Sequence, residues 1–211
     1  MDELFDFLIS SFVTLLVVVD PVSLAPVFVA LTRGLSAEER RHIARNAPLL
    51  AAAILFGAAL VGDPLLRQLG ISLPAFRIAG GLMLFVVAFD MVLGWRSERE
   101  AKEAETAARR EHIRSVAAFP LAIPLMAGPG AITATLLIAG RAEYRLSHML
   151  ILLGVIAAVA AACFCVFVYA SRLMHFMGTT ANLVLSRVLG LILAALAVQY
   201  VIDGLQAVWP G

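Results

Sequence analysis

Charge is what this sequence has least of. Only 15% of its 211 residues are charged, against 62% that are hydrophobic, and the mean hydropathy is +0.95. Soluble domains carry about 25% charged residues, so an ordinary soluble fold is excluded. The net charge of +1 is spread over connectors and forms no basic face, so nucleic acid is not an expected partner. Cysteine is nearly absent. Cys163 and Cys165 lie two apart in an apolar run, pointing to different helix faces, and read as buried core thiols, not a disulfide or metal pair. The four histidines fall in connectors or at span ends with no spacing such as H-E-x-x-H, so no metal centre is expected. MDELFDF is acidic, and no small-residue cleavage site follows the first apolar run. That run is therefore expected to be a retained membrane segment and not a signal peptide.

What the chain does have is apolar length. Six stretches approach or exceed the ~20 residues needed to cross a bilayer. They are 4–31, 47–60 (extendable towards Leu69), 76–95, 116–139, 148–170 and 188–209. All are apolar on every side, and the expectation is an all-α polytopic membrane protein. Two of the six are interrupted. The fourth carries Pro120, Pro124, Gly128, Pro129 and Gly130; the first is interrupted by Asp20-Pro21 and Pro26. In a continuous helix Pro124 would free the carbonyl of Pro120, and Pro129 that of Leu125. Freed backbone cannot face lipid, and broken helices of this kind mark transporters.

Twelve of the sixteen Lys and Arg residues fall in the first, third and fifth connectors, Arg172 and Arg187 among them; the other four are Arg67, Arg77, Arg141 and Arg145. The positive-inside bias places both termini outside, with Trp95 and Trp209 as interfacial anchors. Residues 96–114 read as a charged cytoplasmic helix or linker between two three-span repeats, 1–95 and 115–211. The halves match faintly. Pro21 and Pro26 correspond to Pro124 and Pro129 at an offset of 103, and Arg77-Ile-Ala-Gly80 to Arg187-Val-Leu-Gly190 at 110. Three spans per half is odd, so the second half runs inverted, with substrate expected near the midplane between repeats.

Asp20 is the residue that stands out. A carboxylate this deep either caps the helix restarting at Pro21 or serves as a substrate-amine or proton/cation site. Its counterpart at the proline offset is Ile123, so the site is asymmetric in charge. Arg77 and Arg187 occupy matching positions, as snorkelling side chains or as a gating pair. Asp90 and Asp203 fall near the far ends of their spans, where interfacial placement is expected. Asn46, Thr133, Thr135 and Gln199 could line a cavity. The many small residues, Gly57 and Gly80-Gly81 among them, are accounted for by close helix packing.

Asp20-Pro21 with Pro26, the run FPLAIPLMAGPGAI at 119–132, Phe76 through Gly81, and Arg187 through Ala195 with Gln199 and Asp203-Gly204 resemble the MarC family. The resemblance covers nearly the whole chain. It departs at Ser23, where the family usually has glycine, and at Thr180-Ala-Asn182, where Thr-Gly is more usual. It implies a six-span membrane protein grouped with the lysine-exporter superfamily, some of whose members are described as carriers of small neutral amino acids.

The expectation is thus a secondary transporter, not an enzyme, in a prokaryotic inner membrane. Substrate and coupling residues would be Asp20, Pro21, Ser23, Pro26, Pro124, Gly128, Pro129, Gly130 and Thr133. Arg77, Arg187, Gln199 and Asn46 would be gating or structural polar groups. No cofactor is expected beyond a coupling proton or cation; the partners are a small solute and the bilayer, and homo-oligomerisation is left open. Two alternatives stand beside it: an intramembrane aspartyl hydrolase pairing Asp20 with Asp90 or Asp203, and a structural or lipid-binding membrane protein. A closed apolar core at the breaks would favour the last, and a polar midplane cavity would favour transport.

Overall fold

The computed structural model describes residues 2–95, 117–142 and 145–209, and among these every regular element is helical. In chain order they are α1 (Asp2–Val19), α2 (Pro21–Leu31), α3 (Ala37–Gln68), α4 (Leu73–Leu93), a π-helical segment (Ala117–Met126), α5 (Pro129–Arg141), α6 (Leu146–Val168) and α7 (Ala170–Val208). Five stretches among the described residues are long and apolar enough to cross a membrane. They are Glu3–Leu31, Ala37–Gly62, Leu73–Leu93, Leu146–Val168 and Ala181–Val208. The charged connector 96–114 lies outside the described residues.

Local chemistry explains several boundaries. α3 opens on a capping box: Ser36 Oγ accepts from the Glu39 amide at 3.2 Å, and the Glu39 carboxylate accepts from the Ser36 amide at 2.8 Å. This reciprocal pair starts the helix ten residues before the apolar stretch read from the sequence. α4 begins with Ser72 Oγ accepting from the Ala75 amide and ends at Gly94, whose φ of 81° suits glycine. Three buried threonine hydroxyls are satisfied locally: Thr14, Thr32 and Thr135 donate to carbonyls four residues back at 2.7–2.8 Å.

The fifth connector, expected as a loop between 170 and 188, is helix. α6 and α7 meet at Tyr169, and α7 runs 39 residues without a break. At 1.5 Å per residue that is about 58 Å, roughly twice the hydrocarbon thickness. Its apolar stretch starts only at Ala181. Residues 171–180 hold no proline, so nothing there forbids the helix from running on into the span.

The α1–α2 run is 67% buried in its most apolar window, against 28% for α4 and 22% for α7. The first span is therefore the hub, and α4 with α7 forms an outer antiparallel pair. Their seam is lined by small residues seven apart: Gly81 and Ala88 on α4 against Gly190, Ala197 and Gly204 on α7. A β-carbon at Gly81 would lie 2.7 Å from the Ala197 carbonyl oxygen, and one at Gly190 would lie 2.9 Å from Met91 Cβ. Backbones this close gain dispersion energy that lipid tails cannot supply. Gly80 looks the other way, towards Thr133 and Leu137 of α5. The outward faces carry Leu82, Met83, Val86, Leu191, Val198 and Ile202, all exposed. Cys163 is buried as expected; Cys165 is exposed, because two positions along a helix turn it to the outer face.

Two contacts between chain-distant ends show how the bundle is laid out. Arg145 on the approach to α6 bonds Glu3 of α1 at 2.9 Å. At the other end Arg40 of α3 donates to Ser171 of α7 at 2.8 Å.

Candidate functional site

The first break is a single residue. Asp20 has φ 49° and ψ 66°, the left-handed region, and is 1% exposed. Its amide continues the α1 ladder to the Leu16 carbonyl at 2.9 Å, and its own carbonyl accepts from Leu24 at 3.3 Å. The chain therefore changes direction without leaving α1 or α2. Asp20 Oδ1 accepts from the Ser23 amide at 3.3 Å, the N-cap bond of α2, whose first residue Pro21 has no N–H to satisfy. The second oxygen, Oδ2, accepts from Ser186 Oγ of α7 at 3.3 Å. The cap and the deep carboxylate anticipated in the sequence are thus one group.

The second break is built differently. The π-helical turn closes with the Ala127 amide donating to the Ala122 carbonyl, five residues back, at 2.8 Å. Ala127 and Gly128 bend, and α5 starts with Pro129 in its first turn. Gly128 is the N-cap and makes no side-chain cap bond, so the amide end of α5 is left without a carboxylate of its own. The helices restart after Asp20 and after Gly128, each with a proline, Pro21 or Pro129, in its first turn. A proline at the first helical position has no amide bond to lose, so the break settles there. The other member of each pair is absorbed: Pro26 lies inside α2, and Pro124 lies inside the π-helical segment. Ile123 is exposed.

The two breaks meet. A β-carbon at Gly130 would lie 3.5 Å from Val18 of α1, an ordinary contact, and 3.1 Å from Val87 of α4, so the start of α5 packs against the last turn of α1. Val19 and Met126, from the two broken helices, wall the same cavity with Ala51, Val159 and Cys163. That cavity is about 10 Å³, near the smallest space that holds one water, and its walls are apolar. Asp20, Ser23 and Ser186 form a small polar island buried at the first break. Ser23 Oγ, 5% exposed, has no hydrogen-bond partner among the described residues.

The remaining sequence candidates divide. Pro21, Ser23, Gly128 and Gly130 are buried at the breaks; Pro26 is half-buried and Pro129 exposed. Thr133 is half-buried one turn further along α5, its methyl against Gly80. Asn46 pairs with His42 at 2.6 Å, and Gln199 donates to Asp203 at 2.7 Å, each within its own helix. Arg187 is exposed; Arg77 is half-buried, its Nε without a partner among the described residues. Asn182, the family departure on α7, likewise has a buried, unpartnered Oδ1. Both recorded hydrogen bonds of the Asp20 carboxylate go to serine residues and neither to Asp90 or Asp203. Ser186 was missed in the sequence, although it directly precedes Arg187. Nothing local distinguishes it, since it is 166 residues from its partner.

Known proteins similar to this chain are membrane proteins of prokaryotes. A UPF0056 membrane protein of Archaeoglobus fulgidus is 36% identical over 94% of this chain and 92% of its own length. The UPF0056 membrane protein YhcE of Escherichia coli is 34% identical over 95% and 92%, and YvbG of Bacillus subtilis is 31% identical over 98% of both. No solved structure matches. The description "MarC family integral membrane protein" matches residues 5–209. With apolar helices throughout and that match over nearly its full length, the chain belongs to the MarC family of integral membrane proteins.

Proposed function

We propose that this protein is a secondary transporter of small neutral amino acids. Its broken helices would bind substrate where they meet. The observation that carries this reading is the meeting of two helix N-termini inside the core, one capped by buried Asp20 and one capped by Gly128 with no side chain. A zwitterion has complementary needs. Asp20 suits the ammonium, and the positive amide end of α5 suits the carboxylate. Ser23 Oγ, buried and unpartnered, adds a third polar group. The cavity of about 10 Å³ is smaller than any amino acid, so loading requires the halves to part, as alternating access demands.

Six crossings follow when 117–141 is counted as one interrupted span, and the helix contacts support inverted halves. Several come in matched pairs: α1 on α6 answers the π-helical segment on α3, α2 on α7 answers α5 on α4, and α2 on α6 answers α5 on α3, whereas α1 on α5 and α1 on α7 have no counterpart of like extent among the described residues. α3 on α6 and α4 on α7 are each their own match. The Lys and Arg bias puts both termini outside an inner membrane, with the 96–114 connector in the cytoplasm.

Counterflow in proteoliposomes tests the reading. Vesicles preloaded with unlabelled alanine, serine or glycine should accumulate the labelled form above protein-free vesicles. No accumulation across the neutral panel would reject transport of this class. The apolar walls of that cavity favour a second reading, a structural or lipid-binding membrane protein, which predicts no counterflow of any solute.

A further inference from the structure

A second cavity, of about 540 Å³, opens at the end of the bundle where α2 and α6 finish and α3 and α7 begin. Its floor is aromatic: Phe28 and Phe167, both 1% exposed, stack at 4.8 Å with their planes 4° apart. Its rim is cationic, with Arg40 and Arg41 from the first turns of α3 and Arg172 from the first turn of α7. Among the described residues no acidic side chain lines it. Among the described residues none of the three is paired with a carboxylate; Arg40 donates to Ser171, and Arg41 and Arg172 are exposed. Like charges gathered in one hollow repel. Such a hollow is completed by an anion, and guanidinium groups match phosphate oxygens two at a time.

The floor decides which phosphate. A free inorganic ion gains nothing from two buried rings, whereas a phospholipid places a glycerol ester directly beneath its phosphate. The cavity also reaches Val168 and Tyr169, exposed residues at the end of the apolar run of α6, where a lipid enters sideways. We infer that this cavity binds an anionic phospholipid, with Arg41 and Arg172 on the phosphate and Phe28, Phe167 and Val168 against the glycerol ester region. Basic pockets between membrane helices suit such headgroups. The inference does not depend on transport.

Native mass spectrometry of the full chain in neutral detergent, titrated with phosphatidylglycerol or phosphatidylcholine, tests it. The parent should bind phosphatidylglycerol about tenfold more tightly, because the choline ammonium of phosphatidylcholine, whose phosphate is the same, brings a like charge to the arginine cluster. Arg41→Gln with Arg172→Gln should abolish that preference, while Arg145→Gln at the opposite end should leave it. Both altered residues are exposed, so lipid-free thermal unfolding should stay close to that of the parent. Arg41→Lys with Arg172→Lys, which keeps the charges, should restore part of the preference. A preference unchanged in the glutamine variant overturns the inference, as does a lysine variant that restores none. Displacement of phosphatidylglycerol by equimolar inorganic phosphate overturns the assignment to lipid and makes the cavity a soluble-anion site.

Discussion

Asp20 combines a left-handed backbone, a helix cap and a cross-helix hydrogen bond. Aspartate and asparagine both tolerate that backbone, and both cap well. Asp20→Asn should therefore fold with a stability change below about 1 kcal/mol, since its amide oxygen can still accept from the Ser23 amide. Asp20→Ala loses the cap and should cost about 1–2 kcal/mol in thermal unfolding. Function separates the roles. If the carboxylate holds the substrate ammonium, Asp20→Asn should depress counterflow about tenfold or more at every pH, the scale of a lost hydrogen bond to a charged group. Carrying the coupling proton would instead spare exchange and remove its response to a pH gradient. Unchanged uptake, exchange and pH dependence would leave Asp20 as a cap alone. The Asp-Pro pair was legible because proline and left-handed aspartate act within four residues. Its bond to Ser186 was not, because that partner arrives by the packing of α7.

At the scale of elements, the α4–α7 seam and the lipid-facing glycines make opposite predictions from one residue type. Gly81→Ala would drive a β-carbon to 2.7 Å from a backbone oxygen of α7, which cannot rotate away. It should lower stability by about 1–3 kcal/mol. Gly57 of α3 and Gly154 of α6 have nothing within 4 Å of the added carbon. There the change to alanine should stabilise by about 0.5–1 kcal/mol through helix propensity. Thermal unfolding in one detergent compares all three, and similar shifts would show that the seam is looser than described. The sequence showed that glycines were dense but not which were crowded. Helical spacing says which residues share a face, and only the neighbouring helix says whether that face is approached.

At the scale of the molecule, the layout predicts which chain ends share a side. In a background lacking Cys163 and Cys165, a flexible bifunctional thiol reagent should join Arg40→Cys to Ser171→Cys, and Glu3→Cys to Arg145→Cys, since each pair touches through long side chains that hold the backbones beyond disulfide reach. Arg40→Cys with Arg145→Cys should not, and a cross-link there would contradict the bundle. Sidedness is tested separately. Single cysteines at Ser147 should react with impermeant thiol reagents in intact cells, and those at Arg33 should not. The reverse pattern would invert the proposed orientation.

Membrane residence, helical class, the two interrupted spans and the family were all determined by the sequence alone. Each rests on properties carried by adjacent residues: the length of an apolar run, the amide that proline lacks, the loops in which arginine collects. Tertiary structure decided which proline of each pair opens the restarted helix, that residues 170–188 continue as helix, that Ser186 completes the hydrogen bonding of Asp20, and that three arginine residues from two helices share one hollow. These depend on contacts between positions up to 166 residues apart. Spacing along the chain carries no information about such contacts until packing brings the helices together.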